Sequence, residues 1–226
     1  MKTQTATELG KQIADTILVG KPEKAYDLLK PVLAERTPFR LLDRIGKPFG
    51  LLGLSTVDFL LGRIAADKAE GGWAVIVSAL GQQLKPNPAG SLSRCRELVI
   101  AADIWYAADI FGERVSGPSL VCNFHPTLEL LAPWRRDSNR WVRRNIGVAV
   151  HLWAKRSQGA PEEIKKAESL LDFLEPMFEE KNIDAVNERH RLAFEDPGQI
   201  LSRSSNPLAR GTDCKSAAQG PGGDHP

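Results

Sequence analysis

The sequence predicts an all-α fold. Eight segments carry apolar residues three and four positions apart, the repeat of a helix that buries one face. Gly- and Pro-bearing breakers fall between those segments. No segment alternates apolar and polar residues between hairpin turns, as a half-buried strand would.

The first two helices are expected over 5–18 and 22–36, separated at Gly20. The group Gly46, Pro48 and Gly50 then reads as a break, and a third helix follows over 54–68. Its stripe is Val57, Leu60, Leu61 and Ile64, and Ser55 ahead of Thr56, Val57 and Asp58 marks its start. Gly71 and Gly72 precede a fourth helix over 73–84, with Trp73, Ile76, Val77 and Leu80 on one side. Pro86, Pro88 and Gly90 separate it from a long helix over 91–112. Gly117 and Pro118 lie ahead of the next, over 124–134. Ser138 and Asn139 introduce a helix over 139–156. After Gly159, Pro161 followed by Glu162 and Glu163 suits the first turn of a last helix over 161–180. There the missing proline N–H has no helical partner to lose, and acids face the positive end of the helix dipole. Such a string of helices fits either a compact bundle or an α-solenoid of helical pairs. No strict repeat is visible, and degenerate repeats of roughly 40 residues leave none.

The 226 residues suffice for one domain with a tail. The helical pattern falters from Asn187, and from Ser202 the chain is rich in Ser, Gly and Pro with no aromatic residue. Such a segment buries too little surface to offset its ordering entropy. The expected organisation is a helical domain over 1–186 and a disordered tail over 187–226. No run of 18 apolar residues predicts a membrane span, and the first ten residues lack a signal-peptide core, so a cytoplasmic protein is expected. Cys95, Cys122 and Cys214 have no CxxC spacing, and His125, His151, His190 and His225 form no HxxxH or HExxH pair. Neither a disulfide framework nor a metal centre is indicated. GxGxxG, P-loop and GxSxG motifs are missing, which removes the simplest nucleotide-binding and hydrolase readings.

The formal net charge of +2 conceals a step. Between Arg135 and Arg156, seven basic residues (Arg135, Arg136, Arg140, Arg143, Arg144, Lys155, Arg156) face one acid, Asp137. From Pro161 to Glu180, seven acids face Lys165 and Lys166. One reading is a solvated basic face that pairs with its acidic neighbour. The other is a phosphate-binding surface, favoured by Trp134, Trp141 and Trp153 interleaved among the cations. Trp141 and Arg144 are three apart and share a helical face, so a guanidinium could hold phosphate oxygens while an indole covers sugar or base. Core packing is the commoner fate of a single Trp.

Upstream, Trp105 and Asp109 are four apart on one helical face, with the small Ala107 and Ala108 between them. A carboxylate flanked by indole and alanines is partly desolvated and suits stabilising a cation or orienting water. The plainer reading is a surface Asp beside a core Trp. Asp103 could instead partner some arginine, and Glu113 with Arg114 reads as helix-end charge. A nucleophilic Cys95 or Cys122 is a weaker reading, for neither has a local His and Asn or Asp context.

The segments Trp105-Tyr-Ala-Ala-Asp109, Pro133-Trp-Arg-Arg-Asp-Ser-Asn-Arg-Trp-Val-Arg-Arg144 and Ala149-Val-His-Leu-Trp-Ala-Lys155, in this order, resemble the AlkD-like DNA alkylation repair family. The resemblance covers roughly residues 20–185. It implies a HEAT-like helical-repeat solenoid and a glycosylase that excises cationic N3- or N7-alkylated purines from duplex DNA. It further implies Asp109 as the carboxylate stabilising the sugar cation and positioning water, Trp105 as the indole packed on deoxyribose, and Arg144 as the backbone-binding arginine, with Arg143 its near alternative. Trp141, Arg140, Arg136 and Lys155 extend the expected DNA contact. No cofactor and no metal are expected, and the protein is expected to act as a monomer. A cationic base already leaves readily, so one carboxylate beside the anomeric carbon supplies the main electrostatic contribution. The competing reading is a non-catalytic helical scaffold that binds DNA or a protein partner.

The resemblance also implies a further Trp on a later repeat, and none follows Trp153. Residues 188–204 can be back-translated so that dropping one base yields a helical segment with a Trp and a later Pro, which makes a reading-frame shift one expectation. A solenoid lacking its last repeats would leave Leu170, Leu171, Phe173, Leu174 and Phe178 partly uncapped and its binding and activity weakened.

Overall fold

The computed structural model describes residues 1–182, and the regular structure among them is entirely helical. In chain order the helices are α1 Thr3–Leu18, α2 Pro22–Ala34, α3 Phe39–Gly50, α4 Leu54–Ala66, α5 Glu70–Gln83, α6 Pro88–Ala102, α7 Trp105–Phe111, α8 Gly117–Cys122, α9 Phe124–Leu131, α10 Arg140–Ser157 and α11 Ile164–Leu174. Local chemistry sets several starts. Pro22 and Pro88 occupy first-turn positions where an N–H would have no helical acceptor. Asn87 caps α6 by accepting from Gly90 N at 3.0 Å, and Asn139 caps α10 by accepting from Trp141 N at 2.9 Å and Val142 N at 3.3 Å. The expected tail over 187–226, the frame-shift expectation at 188–204 and the end of the expected 1–186 domain lie outside the described residues.

The helix α3 occupies a stretch that sequence patterning treats as a break. Gly46 and Gly50 lie on one side of it, four residues apart, and both are buried. A Cβ on Gly46 would overlap the Val75 carbonyl oxygen of α5, and one on Gly50 would come within 2.6 Å of Ala79. These glycines therefore let two helix backbones touch rather than ending a helix. Pro48 sits inside α3 close to its C-terminal end.

Packing follows two rows. In one, α1 lies against α3, α3 against α5, α5 against α7, and α7 and α8 against α10. In the other, α2 lies against α4, α4 against α6 and α6 against α9. One apolar core runs between the rows, from Ile13 and Leu29 through Leu61, Leu80, Leu98 and Phe111 to Val142 and Trp153.

The expected continuous helix over 91–112 is interrupted. Helix α6 stops at Ala102, Asp103 takes the left-handed conformation (φ 49°), and Ile104 is extended. Helix α7 then starts at Trp105 and passes through a π-helical turn, Gly112–Ser116, into α8. The expected helix over 161–180 is likewise divided: a 3-10 turn at Pro161–Glu163, α11, and a second 3-10 turn at Glu175–Met177. In that region Leu170, Phe173 and Leu174 are buried, whereas Leu171 and Phe178 are exposed. Among the described residues, no helix is long and apolar enough to cross a membrane.

Candidate active site and nucleic-acid interface

The break at Asp103 and Ile104 determines what Trp105 does. As the first residue of α7 it has no preceding helical turn to lie against, and it is 55% exposed with the edge of Tyr106 against it at 5.9 Å. Asp109 follows one turn later on the same face. Ala107 and Ala108 between them are fully buried, so the other side of α7 sits close on its neighbours.

Helix α10 supplies the third member. Arg144 donates from Nε to Asp109 Oδ1 at 2.6 Å and from Nη2 to Asp109 Oδ2 at 2.8 Å. This is the fork-to-fork geometry that fixes both carboxylate oxygens. The guanidinium carbon also lies 5.9 Å from the Trp105 ring centroid. The Arg144 side chain is 9% exposed and that of Asp109 24%, so solvent reaches the carboxylate from one side. Two segments 35 residues apart in sequence thus converge on one indole, one carboxylate and one guanidinium.

Beneath them is a polar network that sequence reasoning missed. Asn145, fully buried, donates from Nδ2 to Ala108 O at 2.9 Å and accepts from Ser116 Oγ at 2.7 Å. It anchors α10 to the backbone beside Asp109. A lone amide among Val142, Ile146 and Val148 was the available signal. Ser116 also lies 3.7 Å from Cys95 Sγ, and burial pushes the Cys95 thiol up to about 12. A thiol held protonated at neutral pH is no nucleophile, which removes that reading for Cys95.

The other expected contact residues divide. Arg136 and Lys155 are exposed, as is Arg140, whose guanidinium carbon lies 4.5 Å over the Trp141 ring. Trp141 itself is 5% exposed and donates its indole N–H to Asp103 Oδ1 at 2.8 Å. It locks the start of α10 onto the end of α6 and is not presented to a ligand. Asp103 accordingly accepts an indole rather than an arginine. Trp134 and Trp153 are buried as well. Asp137 pairs with Arg96 Nε at 2.5 Å and accepts from Asn139 N at 2.9 Å, so it organises the turn ahead of α10. Glu113 and Arg114 lie in the π-helical turn rather than at a helix end, and Arg114 pairs with Asp43 of α3. Burial raises the Asp43 carboxyl above its ordinary value despite that guanidinium.

Arg143 is held differently from Arg144. Its Nε donates to Glu180, and its Nη1 donates to the carbonyls of Asp137 at 2.6 Å and Ser138 at 3.2 Å. The Glu180 carboxyl is driven above its ordinary value by burial but further below it by the Arg143 hydrogen bond and the Asn182 N–H, for a net lowering. The basic and acidic stretches therefore meet at this pair, while Lys166 turns to Glu163 within its own segment at 2.8 Å. Among the described residues, no group of three or more His, Cys, Asp or Glu side chains could hold a metal ion. No family model, curated protein or solved structure matches this chain.

Proposed function

We propose that this protein is a helical-repeat DNA glycosylase that excises cationic N3- or N7-alkylated purines from duplex DNA. The convergence of Trp105, Asp109 and Arg144 carries the reading. The two packed rows fit a HEAT-like solenoid, in which each helical pair buries its apolar faces against the next.

The chemistry asks little of the protein beyond electrostatics. In an N-alkylated purine the base carries positive charge, so the glycosidic electron pair departs with the base and leaves a sugar cation. Asp109, oriented by both Arg144 donors, places negative charge beside that cation and can accept a hydrogen bond from the attacking water on its solvent-facing side. The exposed Trp105 ring offers a flat apolar face to the deoxyribose, and its π cloud favours the developing charge. Arg144 adds the positive charge for the neighbouring phosphate, with Arg136, Arg140 and Lys155 along the flanking duplex. No cofactor or metal is needed for this sequence of events, and one copy of the chain suffices.

The test is release of 7-methylguanine and 3-methyladenine from methylated duplex DNA. Wild-type protein should release them, and Asp109→Asn should abolish release. Unchanged release by Asp109→Asn would sink the assignment.

The engagement of both Asp109 oxygens by Arg144 favours a second reading, in which the pair is only a tie between α7 and α10 in a binding scaffold. That scaffold would release no base, and Asp109→Asn would change only its melting temperature.

A further inference from the structure

The Arg143 guanidinium lies in the first turn of α10, beside the expected phosphate contacts, and an anion already occupies it. Glu180 reaches it because the 3-10 turn Glu175–Met177, with Met177 buried, folds the end of the last helical segment back over the start of α10. The Glu180 carboxylate is held at both oxygens: Oε2 accepts from Arg143 Nε, and Oε1 accepts from Asn182 N at 2.8 Å. Both side chains are largely covered, at 16% and 17% exposure, so this is a formed site rather than a passing surface pair. The Glu180 Oε2 accepts at a guanidinium donor, Arg143 Nε, that a phosphodiester oxygen can equally take. Its net shift toward the ionised form agrees with an occupied anion site.

From this contact we infer that Glu180 is an internal phosphate mimic, an autoinhibitory contact that duplex DNA must displace to reach Arg143. The inference rests on the DNA-binding reading above. The segment around Glu180 moves aside when the backbone binds, and Arg143 exchanges a carboxylate for a phosphate. Binding then carries the cost of opening one ion pair, and the full phosphate count is reached only after release.

The experiment is a salt titration of binding to a fluorescein-labelled unmodified duplex, followed by anisotropy, for wild type, Glu180→Gln, Arg143→Ala and the double variant. Glu180→Gln should bind about tenfold more tightly at low salt, with a log–log salt slope close to that of wild type, because Arg143 meets a phosphate in both complexes. In the Arg143→Ala background Glu180→Gln should bring no gain. A purely structural ion pair would alter the melting temperature and leave the affinity for duplex unmoved. Binding by Glu180→Gln equal to or weaker than wild type overturns the inference and leaves the DNA-binding reading standing, as does tightening that persists without Arg143. If neither wild type nor Glu180→Gln binds duplex at low salt, the DNA-binding reading itself falls and the inference falls with it. Glu180→Asp, which keeps the charge but shortens the reach, serves in place of Glu180→Gln if the latter fails to fold, with tightening again expected and again absent in the Arg143→Ala background.

Discussion

Trp105 stands in the open where Asp109 and Arg144 do not, and that difference separates function from stability at three neighbouring residues. An indole more than half exposed contributes little to folding, so Trp105→Ala should change unfolding free energy by no more than about 0.5 kcal/mol. The same substitution should cut methylpurine release by at least about tenfold if the ring packs on the sugar, since a contact worth ~1.4 kcal/mol in the transition state corresponds to that factor. Asp109→Ala removes the carboxylate from a guanidinium only 9% exposed. It should cost about 2–3 kcal/mol in denaturant unfolding, below the ~3–5 of a fully buried pair because Asp109 itself meets solvent. A double-mutant cycle with Arg144→Ala should recover most of that cost, since the two side chains share one interaction. The spacing of Trp105 and Asp109 was readable from helical periodicity, whereas the pairing of Asp109 with Arg144 was not, because the two lie 35 positions apart on different helices. The inward turn of Trp141 was not readable, because its partner Asp103 lies 38 positions away and accepts only after α6 has broken.

Helix α3 shows how an element can hide behind its own composition. Gly46, Pro48 and Gly50 read as breakers when only local preference is considered. In the folded chain Gly46 and Gly50 form a flat track on which Val75, Ser78 and Ala79 of α5 rest, and Gly10 of α1 meets Ile45 on the other side. Tertiary contact between backbones overrides the intrinsic cost of glycine in a helix. Gly46→Ala should therefore destabilise by about 2–3 kcal/mol, because α5 must move for the methyl to fit. Gly62, inside α4, is the contrasting case: its added Cβ would meet only the Arg94 side chain, at an ordinary 3.6 Å. Gly62→Ala should stabilise by about 0.5–1 kcal/mol through the entropy of the unfolded chain. Opposite shifts in melting temperature for two Gly→Ala changes would establish that one glycine is needed for proximity and the other is not. The other boundary missed from sequence, at Asp103, has a related origin. Neither Asp103 nor Ile104 is a glycine or proline, and the left-handed turn is held by what Asp103 does for Trp141.

At the scale of the whole molecule, the near-zero net charge conceals two oppositely charged stretches that the fold brings together at Arg143 and Glu180. The step in charge was legible in the sequence. Which cation meets which acid was not, because the return of the chain after α11 depends on a 3-10 turn and on the burial of Met177. The contact makes stability depend on pH in a defined direction. Glu180 in the folded protein has its carboxyl below the ordinary value of 4.5. Its ionised form is thus favoured by folding, and the resulting stabilisation is complete above 4.5 and lost as pH falls through the lowered folded value. Denaturant unfolding of wild type and Glu180→Gln should accordingly differ by a constant amount from neutral pH down to 4.5, about 1 kcal/mol for one partly covered ion pair. Below that pH the two curves should converge, because the protonated wild-type carboxyl then resembles the amide. A difference that persists unchanged into strong acid would assign the effect to side-chain packing and remove Arg143 as its cause. Divergence toward acid would mean that the folded state favours the protonated carboxyl, the opposite of what a guanidinium and a backbone N–H impose on it.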